Sequence, residues 1–315
     1  MTEAAKRGID RRHLLGAGVA LAAGGAISPA PASTRMAGNC VGDEPMPVIP
    51  VPAQIPAREA RIPVGDAALW YWDTGGRGEP IILFHAMTGS ARSWPYQQPI
   101  LSRRHRVIGY SRRGYWGSTI GEPGNPATAI DDLRLFLDAL GIDRFHAVST
   151  AGGAFVACAF AIAAPSRLRS LTLSCSMLGM RGEEIAPLTP LVDTPGINQM
   201  SAEFRELSPS YRSLNPAGCA AWNALYKEAR GDNPRISQSY GPPNTLAGLS
   251  AIRAPTLLIA GGADLYAPPP VMRLFATRIP DSRLTILPEV GHSAHWERPD
   301  LFNRAVDDFV TRHSA

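Results

Sequence analysis

Short apolar runs alternate with amphipathic stretches along most of the chain. Continuous apolar runs such as PIILFH at 80–85 and PTLLIAG at 255–261 are typical of strands buried on both faces of a parallel sheet. This alternation predicts an α/β fold, a mostly parallel sheet covered by helices on both faces. The other predicted strands are 59–64, 67–73, 105–110, 145–149, 168–175 and 283–288.

Three helices with strong signals follow strands of this series. Residues 126–140 repeat apolar side chains at helical spacing before Gly141, and the same reasoning predicts helices over 152–164 and 298–312. The rhythm breaks over 181–247, where helical segments occur without a strand. We therefore expect a helical insertion there, after the sixth strand.

The first 32 residues are similar to a twin-arginine export signal. The pair Arg11-Arg12 precedes an apolar run over 14–27, and Ala30-Pro31-Ala32 supplies a small-x-small cleavage site. The run is short and glycine-rich, so no stable membrane anchor is expected. The pattern predicts export to a bacterial periplasm or exterior; a disordered tail with a chance arginine pair is the alternative.

The composition excludes few functional classes, but the charge distribution argues against one kind of partner. The chain of 315 residues is 45% hydrophobic and 18% charged, as in ordinary soluble globular proteins. Its net charge is +4, of which the first 32 residues carry half, and no basic stripe with aromatic residues follows. Nucleic acid is therefore not expected as a partner, and the sequence leaves the oligomeric state open. Residues 33–57 are rich in proline and predict an extended arm.

No metal, nucleotide or flavin motif is visible, so we expect a mechanism without a cofactor. The four cysteines lack paired metal-type spacing. Cys158 and Cys175 fall on predicted core elements. An oxidising compartment would permit a bridge between Cys40 and Cys219, but the sequence alone does not support one.

Four motifs follow predicted strands, at the sheet edge where α/β proteins bind ligands. In chain order they are FHAMTGSARSW, VSTAGG, IAGGADLYAPP with Asp264, and LPEVGHSAHWERP with His292. Together they resemble the α/β-hydrolase fold family, specifically its lidded members, from about residue 60 to 313. The resemblance implies a core of 58–180 and 248–315 with a helical lid over 181–247.

The resemblance also implies a role for each motif. Asp264 would accept a hydrogen bond from Nδ1 of His292, and His292 would act as the general base. The backbone N–H groups of Met87 and Gly152 would form the oxyanion hole. A helix-capping aspartate and a structural histidine are the alternatives for Asp264 and His292. His85 and His146 match structural histidines at strand ends.

The nucleophile position is occupied by alanine. In the family the nucleophile stands between small residues on a tight turn, and the stretch Ser149-Thr150-Ala151-Gly152-Gly153 fits with Ala151 at the tip. A register with Ser149 as nucleophile would leave the two glycines unexplained, and Thr150 would point away from the acid–base pair.

Three interpretations of Ala151 are open. A serine hydrolase acting on an ester, lactone or similar carbonyl compound could carry a Ser→Ala change that traps substrate. A cofactor-free lyase or oxygenase could use the pair formed by His292 and Asp264 without a nucleophile. A ligand-binding protein could have lost catalysis.

A small substrate, apolar or aromatic, is predicted from the large side chains of the insertion. Packing of the insertion onto the sheet is the alternative for each of them, and Trp94 is expected beneath the oxyanion loop. The substrate-contact candidates are Trp94, Phe204, Tyr211, Trp222, Leu225 and Tyr226.

Overall fold

A computed structural model describes residues 45–180 and 186–314. The strands in these ranges are β1 (Arg58–Val64), β2 (Ala67–Asp73), β3 (Pro80–Phe84), β4 (Arg106–Tyr110), β5 (Phe145–Thr150), β6 (Leu168–Ser174), β7 (Thr256–Gly261) and β8 (Ser282–Leu287). The helices are α1 (Gln98–Leu101), α2 (Ala129–Ala139), α3 (Gly153–Ala163), α4 (Thr189–Val192), α5 (Ala202–Glu206), α6 (Pro209–Leu214), α7 (Pro216–Glu228), α8 (Pro269–Ala276), α9 (Ala294–Glu297) and α10 (Pro299–Arg312).

The eight strands form one sheet in the order β1-β2-β4-β3-β5-β6-β7-β8. β2 pairs antiparallel with β1 and β4, and the pairings from β4 to β8 are parallel. The predicted mostly parallel sheet is confirmed. Since parallel strands end at a common edge, the loops after β3, β5, β7 and β8 meet there.

Alternate residues of each central strand enter two separate cores. In β3, Ile82 and Phe84 pack with α2, α3 and α8, whereas Ile81 and Leu83 pack with α1, α7 and α10. All four side chains are essentially inaccessible to solvent. A strand buried on both faces needs apolar residues at successive positions, which is why these strands read as continuous apolar runs.

Element ends fall close to the predicted limits, with one larger difference at α2. The pattern predicts a start at 126, but α2 begins at Ala129 because Thr128 is extended and its hydroxyl accepts a hydrogen bond from Asp131 N. This side-chain cap ends the extended segment and starts the helix.

The segment between β6 and β7 carries four α-helices, α4 to α7, and no strand in its described part, 186–247. The boundaries of this helical insertion and its description as a lid stay predictions. The predicted export signal at 1–32 and Cys40 lie outside the described residues, and the described part of the predicted arm, 45–57, forms no helix or strand. No helix in the described ranges has the length and apolar character needed to cross a membrane.

Candidate active site

Ala151 occupies the tip of a tight turn between β5 and α3. Its φ is +48°, in the left-handed region that costs a residue with a Cβ about 1–2 kcal/mol. Two hydrogen bonds to β6 and the loop after it hold the turn: Ala151 N donates to Ser174 O at 2.9 Å, and Ser176 Oγ donates to Ala151 O at 2.7 Å. Backbone strain of this kind persists where the surrounding structure imposes it, often at active sites.

Gly152 and Gly153 are required by the close approach of other chain segments. A Cβ on Gly153 would lie 2.1 Å from Phe84 O, because α3 begins against the end of β3. A Cβ on Gly152 would lie 2.3 Å from Met87 Cγ. The turn therefore has Ala151 at its tip, and the two glycines follow it directly.

The two hydroxyl residues before the tip lie inside the sheet. Ser149 is fully buried in β5, and its Oγ donates to Thr172 O at 2.5 Å. Thr150 is also buried, and its Oγ1 has no hydrogen-bond partner among the described residues. Neither side chain lines the cavity at the turn. This position rules out the register with Ser149 as nucleophile.

His292 and Asp264 form a buried pair beside the turn. His292 Nδ1 lies 3.0 Å from Asp264 Oδ1 and 2.9 Å from Oδ2. Asp264 Oδ1 also accepts hydrogen bonds from the backbone N–H groups of Tyr266 and Ala267. These donors fix the carboxylate, which in turn orients the imidazole and leaves Nε2 available towards the cavity.

Charges around His292 favour its protonated form. Burial by itself lowers the pKa of His292, but the negative charges of Asp264 and Glu206 outweigh it and raise the pKa to about 9. Burial opposes ionisation of Asp264 too, yet the charge and hydrogen bond of His292 hold the pKa of that carboxyl below its ordinary value. The two groups thus stabilise each other as an ion pair.

A pH-dependent stability follows from the pair. Because the pKa of His292 rises from 6.5 to about 9, its contribution is complete below pH 6.5 and is lost as pH rises through about 9. That rise corresponds to roughly 3 kcal/mol. Asp264 contributes nothing to this change, since the pKa of its carboxyl lies far below the window. We expect the melting temperature to fall more steeply between these pH values in this chain than in His292→Gln. Parallel curves for the two proteins would contradict the assignment.

The backbone of Met87 lies directly opposite Gly152. An ideal Cβ on Gly152 would be 3.3 Å from Met87 N, so the two amides lie close together. Within the described part of the chain, neither N–H donates to a backbone acceptor outside regular helices and strands. Two unpaired, neighbouring N–H groups beside the tip of the turn can bind the oxygen of a polarised carbonyl.

A cavity of about 290 Å³, here called the elbow cavity, joins these groups. Its volume is at the lower end of small-molecule sites. The core contributes Met87, Thr88, Ala151, Gly152, Phe155, Ser176, Met177, Tyr266 and His292 to its wall. The helical insertion contributes Arg205, Glu206, Tyr226, Arg230 and Arg235.

Glu206 and Glu297 are buried carboxylates that sequence reasoning missed. Glu206, at the end of α5, lines the elbow cavity, and burial raises its pKa. Glu297 accepts hydrogen bonds from Gly291 N at 3.1 Å and Ser208 N at 3.2 Å. It therefore ties the loop that carries His292 to the helical insertion. No local pattern marks either residue, because Glu206 contacts Ser293, 87 residues away, and Glu297 contacts Ser208, 89 residues away.

Among the predicted substrate contacts, Tyr226 lines the elbow cavity. Trp222 lies outside the wall of this cavity and stacks on Tyr226, with ring centroids 5.5 Å apart and an interplanar angle of 17°. Trp222 is buried, so its ring supports the tyrosine from the core.

Trp94, Tyr211 and Phe204 lie away from the elbow cavity, which corrects their assignment as substrate contacts. Trp94 is buried, with its ring 4.7 Å from that of His295. Tyr211 is buried in the same core. Phe204 is 41% exposed and lies under the guanidinium of Arg212. Trp94 and Tyr211 therefore serve core packing, and Phe204 lies on the surface instead of in the cavity wall.

His85 and His146 make structural hydrogen bonds, and the cysteines of the described ranges lie in the core. His85 Nε2 accepts from Arg112 N, and His146 Nδ1 lies 2.8 Å from Ser170 Oγ. Cys158, Cys175 and Cys219 are buried free thiols. Over residues 45–180 and 186–314, no three histidine, cysteine or acidic side chains form a group that could hold a metal ion.

Comparison with known proteins agrees with this geometry. A sequence model of the alpha/beta hydrolase family matches residues 81–305, well over half of the chain. A 2-hydroxy-6-oxononadienedioate/2-hydroxy-6-oxononatrienedioate hydrolase of Pseudomonas putida is 29% identical, over 81% of this chain and 96% of its own length.

Two solved structures share the fold. A thermophilic esterase from Thermogutta terrifontis has a TM-score of 0.70 at 23% identity, and the match covers 82% of this chain and 100% of the esterase. The enol-lactonase from Burkholderia xenovorans LB400 has a TM-score of 0.66 at 23% identity, covering 80% and 100%. At these identities the likeness establishes the fold alone, and the predicted fold is confirmed.

Proposed function

Because the chain belongs to the alpha/beta hydrolase family, we propose that its site is built to hydrolyse an ester, lactone or similar carbonyl compound. The observation that carries the proposal is the common opening of Ala151, Gly152, Met87 and His292 onto one cavity. The name of one sequence relative, a dioate hydrolase, supports hydrolysis of a small molecule.

Each group has a role in the proposed reaction. In its neutral form His292 would take the proton of a nucleophilic oxygen at position 151 as that oxygen attacks the carbonyl carbon, and Asp264 would stabilise the imidazolium. The imidazolium would then give this proton to the leaving alcohol. The N–H groups of Met87 and Gly152 would bind the oxyanion, and water would then release the acyl group. With alanine at 151 the attacking oxygen is missing, so this chain would bind substrate but turn it over poorly.

The substrate has an apolar part in this proposal. Phe155, Met177 and Tyr226 give the elbow cavity apolar and aromatic wall segments. Such surfaces bind hydrocarbon portions of a ligand by removing them from water. We propose an acyl or aryl group in contact with them.

A second candidate function is chemistry without the elbow nucleophile. Ala151 itself favours it, together with Glu206, a second buried carboxylate in the same cavity as His292. In this case His292 would activate water or move a substrate proton directly. A binding protein without turnover is the remaining alternative.

A paired assay separates these functions. This chain and its Ala151→Ser form are tested against aryl and alkyl esters and lactones. Turnover that requires the serine supports the hydrolase. Turnover by the chain with alanine that depends on His292 supports the second candidate, and ligand binding without turnover by either form supports a binding protein.

We also propose export through the N-terminal segment, on the strength of Arg11-Arg12 and the apolar run after it. Replacing both arginines with lysine keeps the charge and removes the pair. We expect the variant to stay in the cytoplasm of a bacterial host, whereas the unchanged chain reaches the periplasm, as followed by cell fractionation. The control is replacement of Lys6 and Arg7, and equal export of the twin-lysine form would contradict the proposal.

A further inference from the structure

Cationic side chains gather on one side of the elbow cavity. Arg205, Arg230 and Arg235 all line it. A second cavity of about 240 Å³, the adjoining cavity, shares Arg230 and Arg235 and adds Lys227. The two cavities also share Met87 and Tyr226 in their walls, so they are neighbours.

These cations lack acidic partners in the described ranges. No salt bridge there joins Arg205, Lys227, Arg230 or Arg235 to a carboxylate. Glu206 is the one acidic residue among those that line the two cavities. One carboxyl group beside four cations leaves a net positive site.

In the wall of the elbow cavity, two guanidinium nitrogens are buried without a hydrogen-bond partner among the described residues. They are Arg230 Nη1 and Arg205 Nε. A buried N–H that is left unpaired costs about 1–3 kcal/mol, and more when the group is charged. A ligand that supplies acceptor oxygens at this position would remove that cost.

Arg230 is held in place by Tyr115. Its Nη2 donates to Tyr115 Oη at 2.6 Å, and its guanidinium carbon lies 4.1 Å from the tyrosine ring centroid. Burial lowers the pKa of Arg230, and the positive charges of Arg112 and Arg235 lower it further. An anion beside Arg230 would relieve this repulsion, and the fixed guanidinium can bind it with little loss of side-chain freedom.

We propose that the substrate carries a carboxylate, bound by Arg230 and Arg235, while its reacting carbonyl lies at Ala151. A carboxylate matches the planar donor pair of a guanidinium. The position of the reacting carbonyl rests on the proposed function. The carboxylate site is inferred from Arg230 and Arg235 and does not depend on it.

Binding to the chain with Ala151 tests the carboxylate site without any turnover. The probes are a mono-aryl ester of a five-carbon dicarboxylic acid and the same compound with its free carboxylate methylated, each titrated by calorimetry. We expect the acid to bind at least about tenfold more tightly. Arg230→Gln and Arg235→Gln should each weaken the affinity for the acid by about 10- to 100-fold and leave the affinity for the methylated compound unchanged.

Two controls keep the experiment decisive. Arg134→Gln removes an exposed guanidinium on α2, far from the cavities in sequence and paired with Asp131, and should change neither affinity. Arg235 is exposed, so its variant folds even if Arg230→Gln does not. Equal affinities for the two probes, or no loss in Arg235→Gln, would overturn the proposal. Tighter binding of the matching phosphate monoester would overturn the choice of carboxylate.

Failure of this inference is distinguishable from failure of the proposed function. If the Ala151→Ser form hydrolyses the methylated probe and the acid equally fast, the proposed hydrolase function is supported and the carboxylate site is contradicted. If binding of the acid depends on Arg230 and Arg235 but the Ala151→Ser form stays inactive, the carboxylate site is supported and the proposed hydrolase function is contradicted.

Discussion

Replacing Ala151 with serine is expected to raise the hydrolysis of aryl esters or lactones by several orders of magnitude. Removing the serine of such a triad costs on the order of a million-fold in turnover, so restoring it should recover much of that factor. Ala151 already has the left-handed backbone and the position in the cavity wall that the serine needs. The measurement is steady-state turnover of the two forms on the same ester panel.

Two variants in the Ala151→Ser background show whether the new serine acts through the proposed groups. His292→Ala should abolish the gained turnover, because no base then accepts the serine proton. Ser149→Ala is the matched control: it also removes a hydroxyl, but one that is buried in β5 and bonded to Thr172 O. A serine form no more active than the alanine chain on substrates that both bind would contradict the elbow mechanism.

Asp264→Asn in the same serine background is expected to lower turnover by about 10⁴-fold. The asparagine oxygen can still accept the backbone N–H groups of Tyr266 and Ala267, which now bond to Asp264 Oδ1. Its NH₂ group then faces His292 Nδ1. An amide NH₂ group can only donate a hydrogen bond, whereas the Asp264 carboxylate accepts one from the Nδ1–H of the imidazole. The ring is driven to the tautomer with a proton on Nε2, which cannot take the proton of the serine.

The fold should survive this change, which makes the kinetic result interpretable. Circular dichroism and thermal melting check that the asparagine variant is folded. Asp281→Asn, at an exposed position before β8, is the matched control and should keep full turnover. A loss of less than tenfold in Asp264→Asn would mean that the buried carboxylate does not orient the histidine.

Local pattern determined the sheet and the order of the motifs. The apolar run of β3 has to be continuous, since Ile81 and Ile82 face different cores, and this signal needs no knowledge of the partners. The sequence also predicts the turn at Ala151, because only small residues fit after its tip, where α3 meets the end of β3. Asp264 and His292 lie in the loops that follow β7 and β8, so the sequence alone predicts that they share one sheet edge.

Only the tertiary structure decided which side chains of the helical insertion reach the cavity. Arg205, Glu206 and Arg230 enter its wall, whereas Phe204, beside two of them in sequence, points to solvent. Short helices with both apolar and charged residues carry no signal for the face that meets the sheet. That face is set by long-range contacts such as Glu297 with Ser208 N, which join positions 89 residues apart. The chain's own periodicity therefore determines the sheet and its motifs, and packing between distant segments determines what the cavity recognises.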